Sequence, residues 1–318
     1  MRNVMVKKIK SILFRIIVVI FGMVLLWILF HLILCKAEES RQQQRGKYVT
    51  VKEKNMNVYA VGEGNTTIVM MPGLGTTAPI LDFEPLVLAL SKDYRIVIVE
   101  PFGYGWSDCT DEERSIENIV EELRMALRMS GEKGPFVLMP HSVSGIYAIW
   151  YANTYPEEVA SVIGIDCALP KQVEYFGGSN PHIPQLAKLV NPLGIQRILC
   201  AVSPTMFISD NKEGIYKEEN LEEQIILSNR IGYNYTVINE TNTVAENIEK
   251  TFELEFSENM PLLFFTTENK KSFYESYIKN TQLQKVAVLD AGHYMHWTKA
   301  YDMVQIIKNF DFRKGEEK

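Results

Sequence analysis

The chain has 318 residues, 47% of them hydrophobic and 23% charged, which is globular composition and enough for one large domain with an appendage. The net charge is −6, and this acidic balance argues against a nucleic-acid partner, whose phosphates need clustered Lys and Arg. Cys35, Cys109, Cys167 and Cys200 form no CxxC pair and have no His at metal-ligand spacing, so four unpaired thiols and no metal site are expected.

The first element is an apolar run. Residues 16–30 read IIVVIFGMVLLWILF, followed by His31 and then LILC to Cys35. About 20 apolar residues is the length that crosses a bilayer as a helix. Arg2, Lys7, Lys8, Lys10 and Arg15 precede the run, whereas Lys36, Arg41, Arg45 and Lys47 behind it are mixed with Glu38 and Glu39. The positive-inside rule then gives a basic cytoplasmic tail (1–10), a transmembrane helix (11–35), a polar linker (36–47) and a body outside the membrane. Two other readings stay open: a cleaved signal peptide, for which Cys35-Lys36-Ala37 is a poor cleavage site, and a buried core helix bracketed by Arg15 and His31.

From Tyr48 the sequence alternates strand and helix patterns. The stretch TVKEKNMNVYAVG predicts two short strands with a turn at Asn55. TIVMMP (67–72) predicts a strand ending in the glycine-rich loop PGLGTT, and RIVIVE (95–100) a second buried strand before PFGYGWSD. Ile116, Ile119, Val120, Leu123 and Leu127 share one helical face between about Ser115 and Met129. FVLMP (136–140) is a strand, SGIYAIWYANTY a helix and VASVIGID (159–166) a strand. Short apolar strands alternating with helices predict an α/β protein with a mostly parallel sheet covered on both faces, with ligands at the carboxyl ends of the strands. Residues 169–259 carry no clear strand and read as a helical lid, longer than a usual connection. The alternation resumes at PLLFFT (261–266) and KVAVLD (285–290), with a last helix near Trp297. The core is thus expected in two parts, 48–168 and 260–318.

The segment FVLMPHSVSGIYA puts Ser142 between a strand and a helix that starts at once, the geometry of a nucleophile elbow. Small residues are needed two before and two after the Ser; Ser144 satisfies this and Pro140 is a departure, while a Ser in this place is also an ordinary helix N-cap. A hydroxyl needs a base, and His293 lies in LDAGHYMHW between the last strand and last helix, with His296 its neighbour. An oxyanion hole needs backbone donors, for which Leu74 in Pro72-Gly73-Leu74-Gly75 and Val143 are the candidates.

The order PGLG, EPFGYGWSD, PHSVSG and AGHYMHW resembles the α/β-hydrolase superfamily in its esterase, lipase and peptidase-like branch, over about residues 48–312. The resemblance implies an eight-stranded sheet, a helical lid between strands six and seven, a Ser-acid-His triad and no cofactor. The acid usually follows the seventh strand, where this chain has Thr267-Glu268-Asn269-Lys270, with Lys270 in the acid's place. Asp166, at the end of the sixth strand, is the first candidate, Glu268 the second, and a weakened or absent acid the third. Serine at 142 argues against dehalogenases and epoxide hydrolases, which use Asp there.

These readings predict a membrane-anchored serine hydrolase that cleaves a carboxyl ester or related lipid-like acyl substrate through an acyl-enzyme on Ser142. Lid residues Tyr175, Phe176, Leu186, Leu193 and Phe207 fit an apolar pocket or simply pack the lid. A proline-iminopeptidase-like aminopeptidase would draw on Glu218, Glu219, Glu222 and Glu223, and a non-catalytic binding protein on a degenerate hydrolase scaffold is the remaining alternative.

Overall fold

The computed structural model describes residues 2–312, with side chains from Met5 onward. The end of the second core part at 318, and Met1 of the tail, lie outside the described residues.

Helix α1 (Arg2–Arg41) is continuous, so the tail and the first part of the 36–47 linker are helical rather than irregular. The helix runs on because Glu38 and Glu39 are taken up by Arg197 and Arg230 of the body. Strands β1 (Lys47–Val51) and β2 (Lys54–Val61) form a hairpin. Its turn falls at Lys52 and Glu53, not at Asn55: both have positive φ, +46° and +64°, as a type I′ turn demands, and Asn55 instead pairs with Thr50.

The body continues through β3 (Thr67–Met71), α2 (Pro79–Asp82), α3 (Glu84–Leu90), β4 (Arg95–Val99), α4 (Ile116–Met129), β5 (Phe136–Pro140), α5 (Ser144–Thr154) and β6 (Val159–Ile165). A helical insertion follows: α6 (Gln172–Phe176), α7 (Ile195–Val202), α8 (Glu218–Ile231) and α9 (Tyr235–Lys250). Strand β7 (Leu262–Thr266), α10 (Lys271–Glu275), β8 (Gln284–Val288) and α11 (Ala300–Lys308) complete the chain. The sheet has eight strands in the order β1-β2-β4-β3-β5-β6-β7-β8, parallel from β4 to β8. Helices α2 and α3, between β3 and β4, are not legible in the sequence, because Pro79, Pro85 and the short length blur their periodicity.

The central strands β3 to β7 are mainly apolar because both of their faces are covered. Alternation within each strand splits them between two cores. Val69, Val97, Leu138 and Leu262 face α4 and α5, whereas Ile68, Ile96, Val137 and Leu263 face α3 and α11. This two-sided burial makes the sheet a rigid platform for the loops at its carboxyl edge.

One of those loops holds Glu100, which is fully buried just after β4. Its Oε2 accepts from the Trp106 N–H at 2.8 Å and from the Asn57 amide at 3.0 Å. Gly105 must be glycine here: its φ is +52°, and a Cβ would sit 2.0 Å from the carboxyl. Burial, only partly offset by these hydrogen bonds, pushes the Glu100 carboxyl up from 4.5 to about 7. Between those pH values the folded state holds a proton that the unfolded state has released, so stability falls as pH rises through this window and is flat above it. Glu100→Gln should remove a decline on the order of 3 kcal/mol between pH 5 and pH 8. Urea unfolding of the detergent-solubilised protein tests this; parallel losses in both proteins would refute it.

Candidate active site

Strand β5 ends with Pro140, and the His141 N–H takes up the ladder by donating to Met71 O at 2.9 Å. Pro140 therefore fits as a terminal strand residue, where its missing N–H is not needed. Ser142 follows with φ +52°, in the left-handed region that costs a non-glycine residue about 1 kcal/mol or more. The turn is over-determined: Ser142 N–H donates to Ile165 O (3.3 Å), and Ser142 O accepts from Gly145 N–H (3.0 Å) and Ala168 N–H (2.7 Å). The chain also comes close at Gly145, where a Cβ would lie 2.1 Å from Ala168 O. Ser144 serves another end, since its hydroxyl donates to Pro72 O and ties the helix to the glycine loop.

His293 reaches Ser142 from the loop after β8. Its Nε2 is 2.9 Å from Ser142 Oγ, and its Nδ1 is 2.6 Å from Asp166 Oδ2. With Nδ1 protonated and donating to the carboxylate, Nε2 is left as an acceptor for the serine hydroxyl. The His293 side chain is 41% exposed, so water reaches the pair, whereas the Asp166 side chain is 1% exposed. Asp166 has φ +37°, and Oδ2 also accepts from Lys270 Nζ at 2.7 Å. Burial raises the Asp166 carboxyl, but the hydrogen bonds from His293 and Lys270 and the charge of Lys270 outweigh it, and it stays below the usual aspartate range. The structure does not bring Glu268 into this group. Glu268 is exposed on the turn after β7 and is not a partner of the His293 ring. The lysine in the acid's place is thus Asp166's second donor.

The loop 72–75 lies against the elbow, and a Cβ on Gly73 would be 2.7 Å from His141 Nδ1 and 3.2 Å from Ser142 Cβ. The N–H groups of Leu74 and Val143 have no hydrogen-bond partner among the described residues. The next residue is anchored, with Gly75 N–H donating to the Tyr104 hydroxyl at 3.1 Å. Tyr104 donates to Glu240 Oε2, and Tyr147 to Glu240 Oε1, each at 2.9 Å. This chain from α9 to the glycine loop is not legible in the sequence, where the tyrosine in PFGYGWSD is its one signal. Burial raises Glu240, with Arg114 acting against it.

The loop carrying His293 is itself pinned. Asp82 Oδ2 pairs with His296 Nε2 and Oδ1 accepts from the Trp297 indole, both at 2.7 Å. His141 is fully buried beside both histidines, and burial first of all holds it far below its ordinary pKa and neutral. It packs, with ring centroids 4.8 Å from His293 and 4.9 Å from His296.

A cavity of about 490 Å³ adjoins the group, bounded by Leu74 and Gly75, by Tyr294 and Trp297, and by Phe207 and Gln224 of the insertion. Of the five apolar insertion residues expected around a pocket, Phe207 lines it; Tyr175 and Phe176 are 55% and 41% exposed and pack on Phe273. Glu218, Glu219 and Glu222 are exposed on α8 and do not border this cavity, and Glu223 is paired with Arg45.

No protein-family model matches the chain. An uncharacterized protein of Bacillus subtilis, YbdG, is 34% identical over 203 residues, covering 61% of this chain and 62% of that protein. The 2-(acetamidomethylene)succinate hydrolase of Mesorhizobium japonicum is 27% identical over 118 residues, 37% of this chain and 41% of that enzyme. The chain thus spans less than two thirds of the length of either. Among solved structures, the Cif epoxide hydrolase from Acinetobacter nosocomialis superposes with a TM-score of 0.64 at 17% identity, over 89% of this chain and 96% of that one. The chain has the α/β-hydrolase fold.

Proposed function

We propose that this protein is a membrane-anchored serine hydrolase acting on a carboxyl ester or related acyl group. The observation that carries this reading is the continuous hydrogen-bonded line from Ser142 through His293 to the buried Asp166. Ser142 attacks the carbonyl as its proton passes to His293 Nε2; the imidazolium is steadied by Asp166, and the oxyanion by the N–H groups of Leu74 and Val143. The leaving alcohol takes the proton from His293, and water, admitted through the exposed His293 face, releases the acyl group by the reverse sequence. The hydrolase named for Mesorhizobium supports hydrolysis. Epoxide opening as in the Acinetobacter enzyme is disfavoured by the hydroxyl at 142, because that chemistry uses an aspartate ester. The cavity supports a neutral substrate: among the described residues no Lys, Arg or Glu lines it, the Asp82 carboxylate is engaged by His296 and Trp297, and His182 is its one histidine. The acidic residues of α8 lie away from it, which removes the main support for an aminopeptidase.

The insertion serves as the lid of this pocket, and α1 is the anchor, with the basic tail in the cytoplasm and the body outside. The helix is long and apolar enough to cross a membrane, and 6% of its most apolar stretch is buried against the body. A fluorophosphonate probe should label the purified protein at Ser142, as mapped by peptide mass spectrometry. Labelling elsewhere, or none, would end the serine-hydrolase reading.

A further inference from the structure

Helix α1 does not stand clear of the body. The Trp27 indole N–H donates to Leu193 O at 3.1 Å, and His31, within the apolar run, is 1% exposed. Gly194 (φ +69°) fits between them, where a Cβ would be 2.8 Å from the Trp27 indole nitrogen and 2.9 Å from the His31 ring. Arg197 of α7 donates to His31 Nδ1 at 3.2 Å and grips Glu38 through two bonds of 2.6 and 2.7 Å. A histidine facing lipid would be costly, and here the insertion covers it. The first turn of α7 is thereby fixed at the level of Trp27 and His31.

That level has a depth. A helix rises about 1.5 Å per residue and the hydrocarbon core is about 30 Å thick. Counted from Arg15, the core ends near Cys35 and Trp27 lies about 12 Å inside it. Counted from Lys10, it ends near Phe30 and Trp27 lies about 5 Å inside. Either way, Gly194 and the start of α7 meet the outer boundary of the core or lie within it. Helix α7 suits that place. Ile195, Ile198, Leu199 and Val202 form one face, 39% to 77% exposed, while Gln196 and Cys200 on the other are buried. Met206, 74% exposed, extends the apolar face beyond the helix.

We propose that α7 and the turn after it lie in the lipid bilayer, in the leaflet on the side of the body, as a second membrane contact beside the anchor. Acyl chains cover the Ile195–Val202 face. Met206 belongs both to this face and to the cavity wall, so the pocket borders the lipid phase. The inference rests on α1 being a retained transmembrane helix. Bilayer contact explains both the depth fixed by Trp27 and the apolar face, which no part of the described chain covers.

The full chain, reconstituted into phosphatidylcholine vesicles holding a diazirine-bearing phospholipid, tests this by photolabelling and peptide mapping. Labels are expected within 12–34 and within 195–206, but not at Leu88 or Tyr301, which are 59% and 75% exposed elsewhere on the body. Labelling confined to 12–34 would overturn the proposal and leave the anchor standing; labelling of neither segment would overturn both. In the double variant Ile198→Asp, Val202→Asp, labelling of 195–206 should drop at least about fivefold with circular dichroism and 12–34 labelling unchanged. Undiminished labelling would count against the proposal.

Discussion

Ser142→Ala should lower ester hydrolysis by at least about 10³-fold while leaving the fold as stable as before to within about 1 kcal/mol. The asymmetry follows from what the hydroxyl touches. Its hydrogen bond is to His293 Nε2, in a half-exposed pair, so its loss leaves no buried group stranded. The turn itself is held by backbone bonds from Gly145, Ala168 and to Ile165, none of which involves the side chain. Alanine keeps the Cβ and with it the strain of φ +52°. Ser142→Gly should be equally inactive but more stable, by about 1 kcal/mol, because glycine accepts that φ without penalty. Activity on a chromogenic ester and urea unfolding of the three proteins decide the matter. A Ser142→Ala protein retaining a tenth of the activity would exclude Ser142 as the nucleophile.

The legible parts of this molecule were those governed by local rules. Runs such as FVLMP and VASVIGI announced buried strands, and β5 and β6 span Phe136–Pro140 and Val159–Ile165. Ser115 and the spacing after it marked α4, and its side chain caps the helix. What stayed hidden depends on partners distant in sequence. The 36–41 stretch reads as polar linker because its helix is completed by Arg197 and Arg230, more than 150 residues away. The Tyr104–Glu240 bond joins the core to the insertion across 136 residues, and nothing local pairs the tyrosine of PFGYGWSD with that glutamate. The candidate acid is ambiguous in the sequence for the same reason. Asp166 and Glu268 each follow a parallel strand at the correct edge, and only the course of the turn after β7 decides which carboxylate meets the imidazole.

That choice has a measurable consequence. Asp166→Asn is expected to reduce kcat/KM by about 10³ to 10⁴-fold, and Glu268→Gln by no more than about twofold. Asparagine preserves the size of the side chain but removes the charge that balances the imidazolium, and its amide can present N–H to Nδ1 and trap the wrong tautomer. Lys270 deepens the loss. In the native protein its ammonium and His293 share Oδ2, at 2.7 and 2.6 Å. Once the carboxylate is gone, an unpaired cation is left beside the ring that must itself become positive. Lys270→Met alone should cost less than about tenfold, since Asp166 keeps its charge and spends it on His293 alone. The double variant Asp166→Asn, Lys270→Met should therefore recover part of the activity lost in Asp166→Asn, a non-additivity expected only of groups that share one carboxylate. Glu268→Gln proving more damaging than Asp166→Asn would move the acid to the turn after β7. Strict additivity in the double variant would mean that Lys270 merely fills space beside Asp166.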